Sequence, residues 1–385
     1  KTKELFSYKV NHSQEGSLTN IAIYSMFISK YNMLFIGTAD MLNIADLNRI
    51  SGDIAVPLHK EAEQNHELFE YFTGSISSLA ASRNYVWAAS NNILIRYTLD
   101  QPKLEEFQLI KGDSQACIYT LCVINDTEVW IGSNKGLFLF NAETNSVTPV
   151  SLYNDSVSDT ASLLVRALYQ DSDGTLWIGT GGAGLIHFSP QQGILARYTH
   201  SDDQRSLNGD TVFFIKRDTS GTLWINTNQG LCRLKADMQE FISYRYDVHN
   251  PLGIASNEIN SLCEDSNGLL WFGTADAGIC CFDPKTDTFQ TYTKDNGLST
   301  NQIIGITDAD DGFLWILTPK YLNLFNIEQR TAQAYNIADI RQYGYFSCLP
   351  LGLKARGLFF FGTDHGILKI SQEKLYTFRL KFAPI

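Results

Sequence analysis

The sequence lacks any run of about 18 apolar residues, so no part of it can cross a bilayer as a helix. It lacks a Cys-x-x-Cys pair, and none of its seven cysteines (Cys117, Cys122, Cys232, Cys263, Cys280, Cys281 and Cys348) stands at metal-ligand spacing to a histidine. An odd count with no regular framework argues against a disulfide-stapled scaffold, and the adjacent pair Cys280-Cys281 disfavours its own bridging. The thiols are therefore expected to be buried and free. Basic charge is scarce: 30 Lys and Arg against 41 Asp and Glu leave a net charge of −11. That balance argues against a basic face for nucleic acid and against docking on anionic lipid. The first residues, Lys1-Thr2-Lys3-Glu4-Leu5, do not read as a signal peptide, and both ends are expected to cut a segment from a longer protein. Helical periodicity is nearly missing, with residues 60–72 the single candidate.

What is present is an apolar chain, 44% hydrophobic and 18% charged, so it is not disordered. Its 385 residues exceed the ~250–300 at which one core stops growing, so two domains or a repeat architecture are expected. The repeat is visible. All six tryptophans share one context, as in Val129-Trp130-Ile131-Gly132-Ser133, Leu176-Trp177-Ile178-Gly179-Thr180 and Leu270-Trp271-Phe272-Gly273-Thr274. Two further copies carry Phe35 and Phe360 in place of tryptophan. The aromatic positions 35, 87, 130, 177, 224, 271, 315 and 360 are 43 to 52 residues apart, the period of a four-stranded propeller blade.

The neighbours of each copy agree. An apolar strand such as residues 163–168 comes first, then a polar turn such as Asp171-Ser172-Asp173-Gly174, whose Asp-Gly step favours a tight hairpin. The tryptophan strand has consecutive rather than alternating apolar residues, as expected of a strand covered on both faces. A Gly-apolar step such as Gly184-Leu185 opens a third strand, and an amphipathic aromatic strand such as residues 194–198 closes the repeat. The residue three after the aromatic is Thr or Ser in all eight copies, where its hydroxyl can close the strand end onto nearby backbone. Glycine two after the aromatic, found in five copies, suits close approach between blades. The expected fold is all-β: one β-propeller domain over residues 1–385, built of four-stranded antiparallel blades, eight in number with seven as the alternative. Leu5-Phe6-Ser7-Tyr8 or Leu375-Tyr376-Thr377-Phe378 is expected to complete the last blade.

The Leu-Trp-Ile-Gly-Thr…Gly-Leu pattern preceded by Asp-x-Asp/Asn-Gly resembles the two-component regulator propeller repeat, best in residues 171–185 and 265–279. The resemblance implies the periplasmic sensor region of a hybrid two-component histidine kinase and response regulator, the ectodomain of an inner-membrane protein. It implies as partners a neighbouring propeller and an immunoglobulin-like domain of the same chain, a homodimer in the full sensor, and an oligosaccharide ligand whose binding is passed to a kinase. It implies no catalysis and no cofactor in this segment.

Other chemistry fares worse. Asp171-Ser172-Asp173-Gly174 begins like a calcium loop, but the twelfth position holds Gly182 rather than glutamate. A sialidase-type Asp-box fails in register because Asp173 and Gly174 are adjacent, and no carboxylate pair for glycoside hydrolysis stands out. A quinoprotein docking motif is absent. The seven histidines form no His-x-His or His-x-x-x-His pair, and Gly181-Gly182-Ala183-Gly184 is followed by no Lys-Ser/Thr. No metal site is expected. A ligand is expected at one rim, where the loops between second and third strands meet the segments leading into each first strand. Those loops nominate Lys135, Asn228, Asp276, Lys320, Tyr321, Asp364 and His365, with Tyr321 as an aromatic platform. Two other readings remain open: a spacer propeller without its own ligand, and a polysaccharide-active enzyme.

Overall fold

The computed structural model describes residues 76–99, 103–152, 163–235, 238–309, 312–319 and 321–336, together with strands at 23–28, 33–38, 42–46, 69–71, 353–355, 358–362 and 366–371. The chain divides into two compact units, residues 1–70 and 71–385. The first holds an antiparallel sheet of β1 (Ile23–Ile28), β2 (Met33–Thr38) and β3 (Leu42–Asp46), with Phe35 in β2.

The second unit opens within β4 (Phe69–Tyr71). The helix candidate at 60–72 thus ends in a strand, in keeping with the strand preference of its aromatic residues. Six four-stranded meanders follow. They are β5 (Ser78–Ala81), β6 (Tyr85–Ser90), β7 (Ile93–Thr98) and β8 (Leu104–Gln108); then β9 (Ile118–Val123), β10 (Glu128–Ser133), β11 (Gly136–Asn141) and β12 (Ser146–Val150). Next come β13 (Val165–Gln170), β14 (Leu176–Thr180), β15 (Leu185–Ser189) and β16 (Gly193–Tyr198); then β17 (Val212–Arg217), β18 (Leu223–Thr227), β19 (Gly230–Leu234) and β20 (Phe241–Tyr244). The series continues with β21 (Ile259–Glu264), β22 (Leu270–Thr274), β23 (Ile279–Asp283) and β24 (Thr288–Tyr292), and β25 (Gly305–Asp308), β26 (Phe313–Leu317), β27 (Tyr321–Asn326) and β28 (Thr331–Asn336). A last sheet has the order β29 (Leu353–Ala355), β30 (Leu358–Gly362), β31 (Gly366–Ser371), β4. Its strands β29 and β30 lie beside β5, so the last sheet of this unit meets the first. The two terminal segments considered for the closing strand lie outside the described residues.

The fold is an all-β propeller, and the repeat explains how its blades cohere. In β14, β18 and β22 every residue is buried, as consecutive apolar residues require. Four tryptophans pack edge-on against a phenylalanine of the following blade: Trp87 against Phe140 with ring centroids 6.1 Å apart, Trp130 against Phe188 at 6.5 Å, Trp224 against Phe282 at 5.1 Å and Trp271 against Phe325 at 5.3 Å. Trp177 joins Leu234 and Phe241 of the following blade in one hydrophobic cluster. Burying such a side chain contributes roughly 1.5–3 kcal/mol, and each edge-on aromatic pair about 0.5–1.5 kcal/mol more. Outer strands such as β12 and β16 mix exposed and half-buried residues, which matches their amphipathic sequence.

The Asp-x-x-Gly turns have a second role. The Asp171 carboxylate accepts a hydrogen bond from Trp177 Nε1 at 2.8 Å, and Asp218 and Asp265 do the same for Trp224 and Trp271 at 2.8 and 2.9 Å. The glycine closing each turn (Gly174, Gly221 and Gly268) has φ between 79° and 88°, a region that disfavours any side chain. At the opposite end of the tryptophan strand the Thr or Ser hydroxyl behaves as expected. Thr180 Oγ1 donates to the Gly184 carbonyl at 2.8 Å and accepts from the Ala183 amide at 2.8 Å; Ser133, Thr227, Thr274 and Thr318 make the corresponding pairs. The described cysteines are free, with Cys232, Cys263, Cys280 and Cys281 buried; burial pushes the Cys232 thiol up to about 12.

Candidate functional site

The loops between second and third strands and the segments leading into first strands do share one rim, and backbone bonds stitch them together. The Gly181 amide donates to Leu164 of its own blade at 2.9 Å, while Gly184 donates to Asp210 of the next at 2.9 Å. Gly278 likewise donates to Asn301 at 2.8 Å.

Just inside this rim, each of four first strands carries a β-bulge. Pairing with the tryptophan strand slips between Ile118 and Thr120, Val165 and Ala167, Val212 and Phe214, and Ile259 and Ser261. The extra residues are Tyr119, Arg166, Phe213 and Asn260. A bulge re-aims one side chain without ending the strand, and here it aims all four into one cavity. That cavity has a volume of about 850 Å³, within the range of small-molecule sites. It is lined by β5, β9, β13, β17 and β21, the first strands of consecutive blades.

The bulge residues divide by chemistry. Asn260 Nδ2 donates to the Ile303 carbonyl at the start of the next blade at 2.8 Å, and Ser77, which leads into β5, donates through Oγ to Ile118 at 2.7 Å. Both are consumed in holding blades together. Arg166 is not. Its guanidinium carbon lies 5.5 Å from the centre of the Tyr119 ring and 5.8 Å from that of Phe213, between aromatic residues supplied by the blades on either side. Its Nε is buried and has no acceptor, and among the described residues no carboxylate forms an ion pair with it. Phe213 remains 43% exposed, unusual for a phenylalanine in a packed sheet. Lys216 also lines the cavity and donates to the Leu262 carbonyl at 3.2 Å. Glu258, at an exposed position, is the single acid in the lining.

The residues nominated from sequence are only partly here. Asn228 lines the cavity, and its backbone and side chain both bond Thr211, at 2.9 and 3.3 Å. Lys135 pairs with Asp113 at 3.1 Å, away from the cavity lining. The Gln115 amide and the Lys135 ammonium hold the Asp113 carboxyl below its ordinary range. Asp276 is an exposed loop residue, and Tyr321 is half-buried at the start of β27 with its backbone tied to Thr318; neither is among the lining residues. Lys320, Asp364 and His365 lie outside the described residues. What sequence reasoning missed are Tyr119, Arg166, Phe213 and Asn260. Their common signal is position: each stands eleven residues before its tryptophan. Among the described residues no group of three or more His, Cys, Asp or Glu side chains is arranged to hold a metal ion.

Comparison with known proteins places this geometry in context. Residues 161–182 and 253–276 match the family model described as two component regulator propeller, so the chain carries repeats of that kind. It is 24% identical over 300 residues to histidine kinase P4 of Formosa agariphila, a match covering 76% of this chain and 21% of that protein. The extracellular domain of the putative hybrid two component system BT3049 from B. thetaiotaomicron superposes with a TM-score of 0.68 at 19% identity, over 97% of this chain and 48% of that one. Virginiamycin B lyase from Staphylococcus aureus gives a TM-score of 0.56 at 13% identity, over 78% of this chain and 97% of that enzyme. At these identities the structural matches show the propeller fold. The chain spans about a fifth of the length of the kinase and about half that of the first ectodomain.

Proposed function

We propose that this chain is an extracytoplasmic ligand-sensing module of a hybrid two-component signalling protein, and that the bulge-lined cavity receives an oligosaccharide. The observation that carries the reading is the cavity itself, set in a chain with two-component regulator propeller repeats. It combines exposed aromatic surface with planar polar side chains, the pairing that sugar rings need. Binding would draw together first strands from five consecutive blades. A ligand that prefers one arrangement of those blades, or of the module against its partners in the sensor, shifts that equilibrium by its difference in affinity. In this reading the kinase, a second propeller, an immunoglobulin-like domain and the dimer belong to the parent protein, with the module on the periplasmic side of the inner membrane. Among the described residues no helix is long and apolar enough to cross a membrane.

The module acts by binding rather than by catalysis. Glycoside hydrolysis uses two carboxylates flanking the scissile bond, and the lining holds one, Glu258. The test is calorimetry of the 385-residue chain against a panel of neutral and acidic plant, host and microbial oligosaccharides, with product analysis of the same mixtures. Saturable binding without new reducing ends or unsaturated products is the expected result. A folded chain that binds nothing in the panel sinks the ligand reading and favours a spacer; a changed sugar makes it an enzyme.

A further inference from the structure

We propose that the ligand is acidic, and that Arg166, clamped between Tyr119 and Phe213, is the seat of its carboxylate or sulfate group. The inference rests on the reading that the cavity binds an oligosaccharide, and it names the class of sugar.

Asn260, the extra residue of β21, and Ser77, which leads into β5, each donate to a carbonyl at the start of the next blade. The arginine at the same place in β13 makes no such bond and forms no ion pair among the described residues. A guanidinium with a buried Nε and no counter-charge is costly to keep unless an acceptor arrives. The aromatic rings on either side explain how it is tolerated meanwhile, because ring faces attract the cation without occupying its N–H groups. They also fix its plane. An arginine with a fixed plane presents paired donors that match the two oxygens of a carboxylate or a sulfate.

The surrounding charge agrees. The chain carries −11 overall, yet the lining holds Arg166 and Lys216 against Glu258 alone. Repulsion from the distant surface is screened beyond roughly 8–10 Å, so the charges lining the cavity decide which ligand stays. The exposed face of Phe213 then offers a platform for the sugar ring next to the acid group. A neutral sugar would offer Arg166 hydroxyl acceptors alone, without the negative charge that makes a guanidinium bond strong.

The experiment uses the 385-residue chain, its Arg166→Gln variant and its Phe213→Ala variant. Probes are oligogalacturonate, the same oligomer fully methyl-esterified, a sulfated chondroitin disaccharide and inorganic sulfate. Calorimetry should show saturable binding of at least one acidic sugar and weaker, competing binding of sulfate. Arg166→Gln should weaken both by about tenfold or more, the effect of losing a charge-assisted hydrogen bond. Phe213→Ala should weaken the sugar and spare sulfate. Uronate and sulfated sugar separate the two sources of the anion, and the methyl ester separates charge from shape. Binding of the ester equal to that of the free acid, or acidic binding untouched by Arg166→Gln, overturns the proposal while leaving an oligosaccharide sensor standing. Binding of neutral sugars from the wider panel, with acidic sugars and sulfate all inert, does the same. If neither neutral nor acidic sugars bind a folded chain, the oligosaccharide reading and this inference fall together.

Discussion

A single carboxylate can hold three parts of this fold at once. Asp171 closes its hairpin turn, accepts from Trp177 Nε1 and receives a bidentate Arg217 from the next blade, with Nε at 2.6 Å and Nη2 at 2.5 Å. Replacing Asp171 with Ala leaves the buried Trp177 indole N–H without an acceptor and the half-buried Arg217 guanidinium with only its Nη1 bond to the Gly221 carbonyl at 2.6 Å. It should cost about 2–3 kcal/mol in chemical denaturation. The converse case exists in the same molecule. The residues six before Trp87 and Trp130 are Ala81 and Ile124, and both indole N–H groups are buried without a partner. Ile124 starts a turn of the same form, its amide donating to Glu128 four residues on as Asp171 donates to Thr175. Ile124→Asp should therefore stabilise by about 1 kcal/mol, read as a raised Tm; an unchanged or lower Tm would mean that Trp130 Nε1 cannot reach the new carboxylate. His187 gives a pH-dependent case. It stacks on Trp177 with ring centroids 4.2 Å apart, and its Nε2 lies 3.1 Å from Thr175 Oγ1. Burial pushes its pKa below the ordinary 6.5, and Asp171 and Asp173 pull it only part of the way back. A depressed folded value means that the unfolded chain takes the proton first. The stability contributed by neutral His187 is thus complete above about pH 6.5 and is lost as pH falls through that value toward the folded one. Between pH 7.5 and 5 the wild-type Tm should fall more steeply than that of His187→Gln; parallel curves would remove His187 as the cause. The turn Asp and its Gly were legible in the sequence because local backbone chemistry selects them. The indole contact was not, because it needs the hairpin folded before the spacing of six has meaning.

At the scale of the strand, close approach between blades is what the repeat glycine provides. A Cβ on Gly179 would stand 2.6 Å from Val212 Cγ1 in the next first strand and 2.9 Å from Ala167 Cβ, and Gly132 and Gly273 meet Val165 and Ile303 in the same way. Gly179→Ala should destabilise by about 1–3 kcal/mol, the usual cost of overpacking. Adding Val212→Ala should recover part of that loss. Strict additivity in the double-mutant cycle would show that the strain is not shared across the blade boundary. Where the glycine is missing the boundary is solved otherwise: Asn226 reaches over and donates to Ile259 at 2.7 Å. The tryptophan strands were legible because burial on both faces writes itself as consecutive apolar residues. The bulges were not. A bulge adds one residue to a strand without changing its composition, so Tyr119, Arg166, Phe213 and Asn260 read as ordinary strand residues until pairing shows which one is extra. For that reason the sequence placed candidate ligand residues in the loops, with Asn228 among the cavity-lining residues, and passed over the bulge residues one step below.

At the scale of the chain, counting copies and closing a ring are different problems. Each motif encodes its own hairpin through contacts such as Asp171 with Trp177, and its grip on the next blade through contacts such as Trp271 with Phe325. Neither contact says where the series stops. Eight copies are legible in the sequence, and the structure distributes them unevenly: Phe35 falls in the unit of residues 1–70, the other seven aromatic positions in that of residues 71–385. Within the larger unit β29 and β30 already lie beside β5, so the series of sheets returns to its start without drawing on β1–β3. The segment between β3 and β5 supplies β4 to the last sheet. We therefore expect a chain begun at residue 67, which keeps β4 and discards β1–β3, to fold alone. It should unfold in one cooperative transition with a Tm within a few degrees of the full chain, and it should keep the affinity of the full chain for whichever acidic probe the cavity accepts, because every residue lining the cavity lies beyond residue 71. A sheet removed from a closed ring would instead expose paired edges and apolar faces on both sides of the gap. Loss of cooperativity, or aggregation relieved by adding residues 1–66 back, would make the first sheet part of the ring and all eight copies its blades.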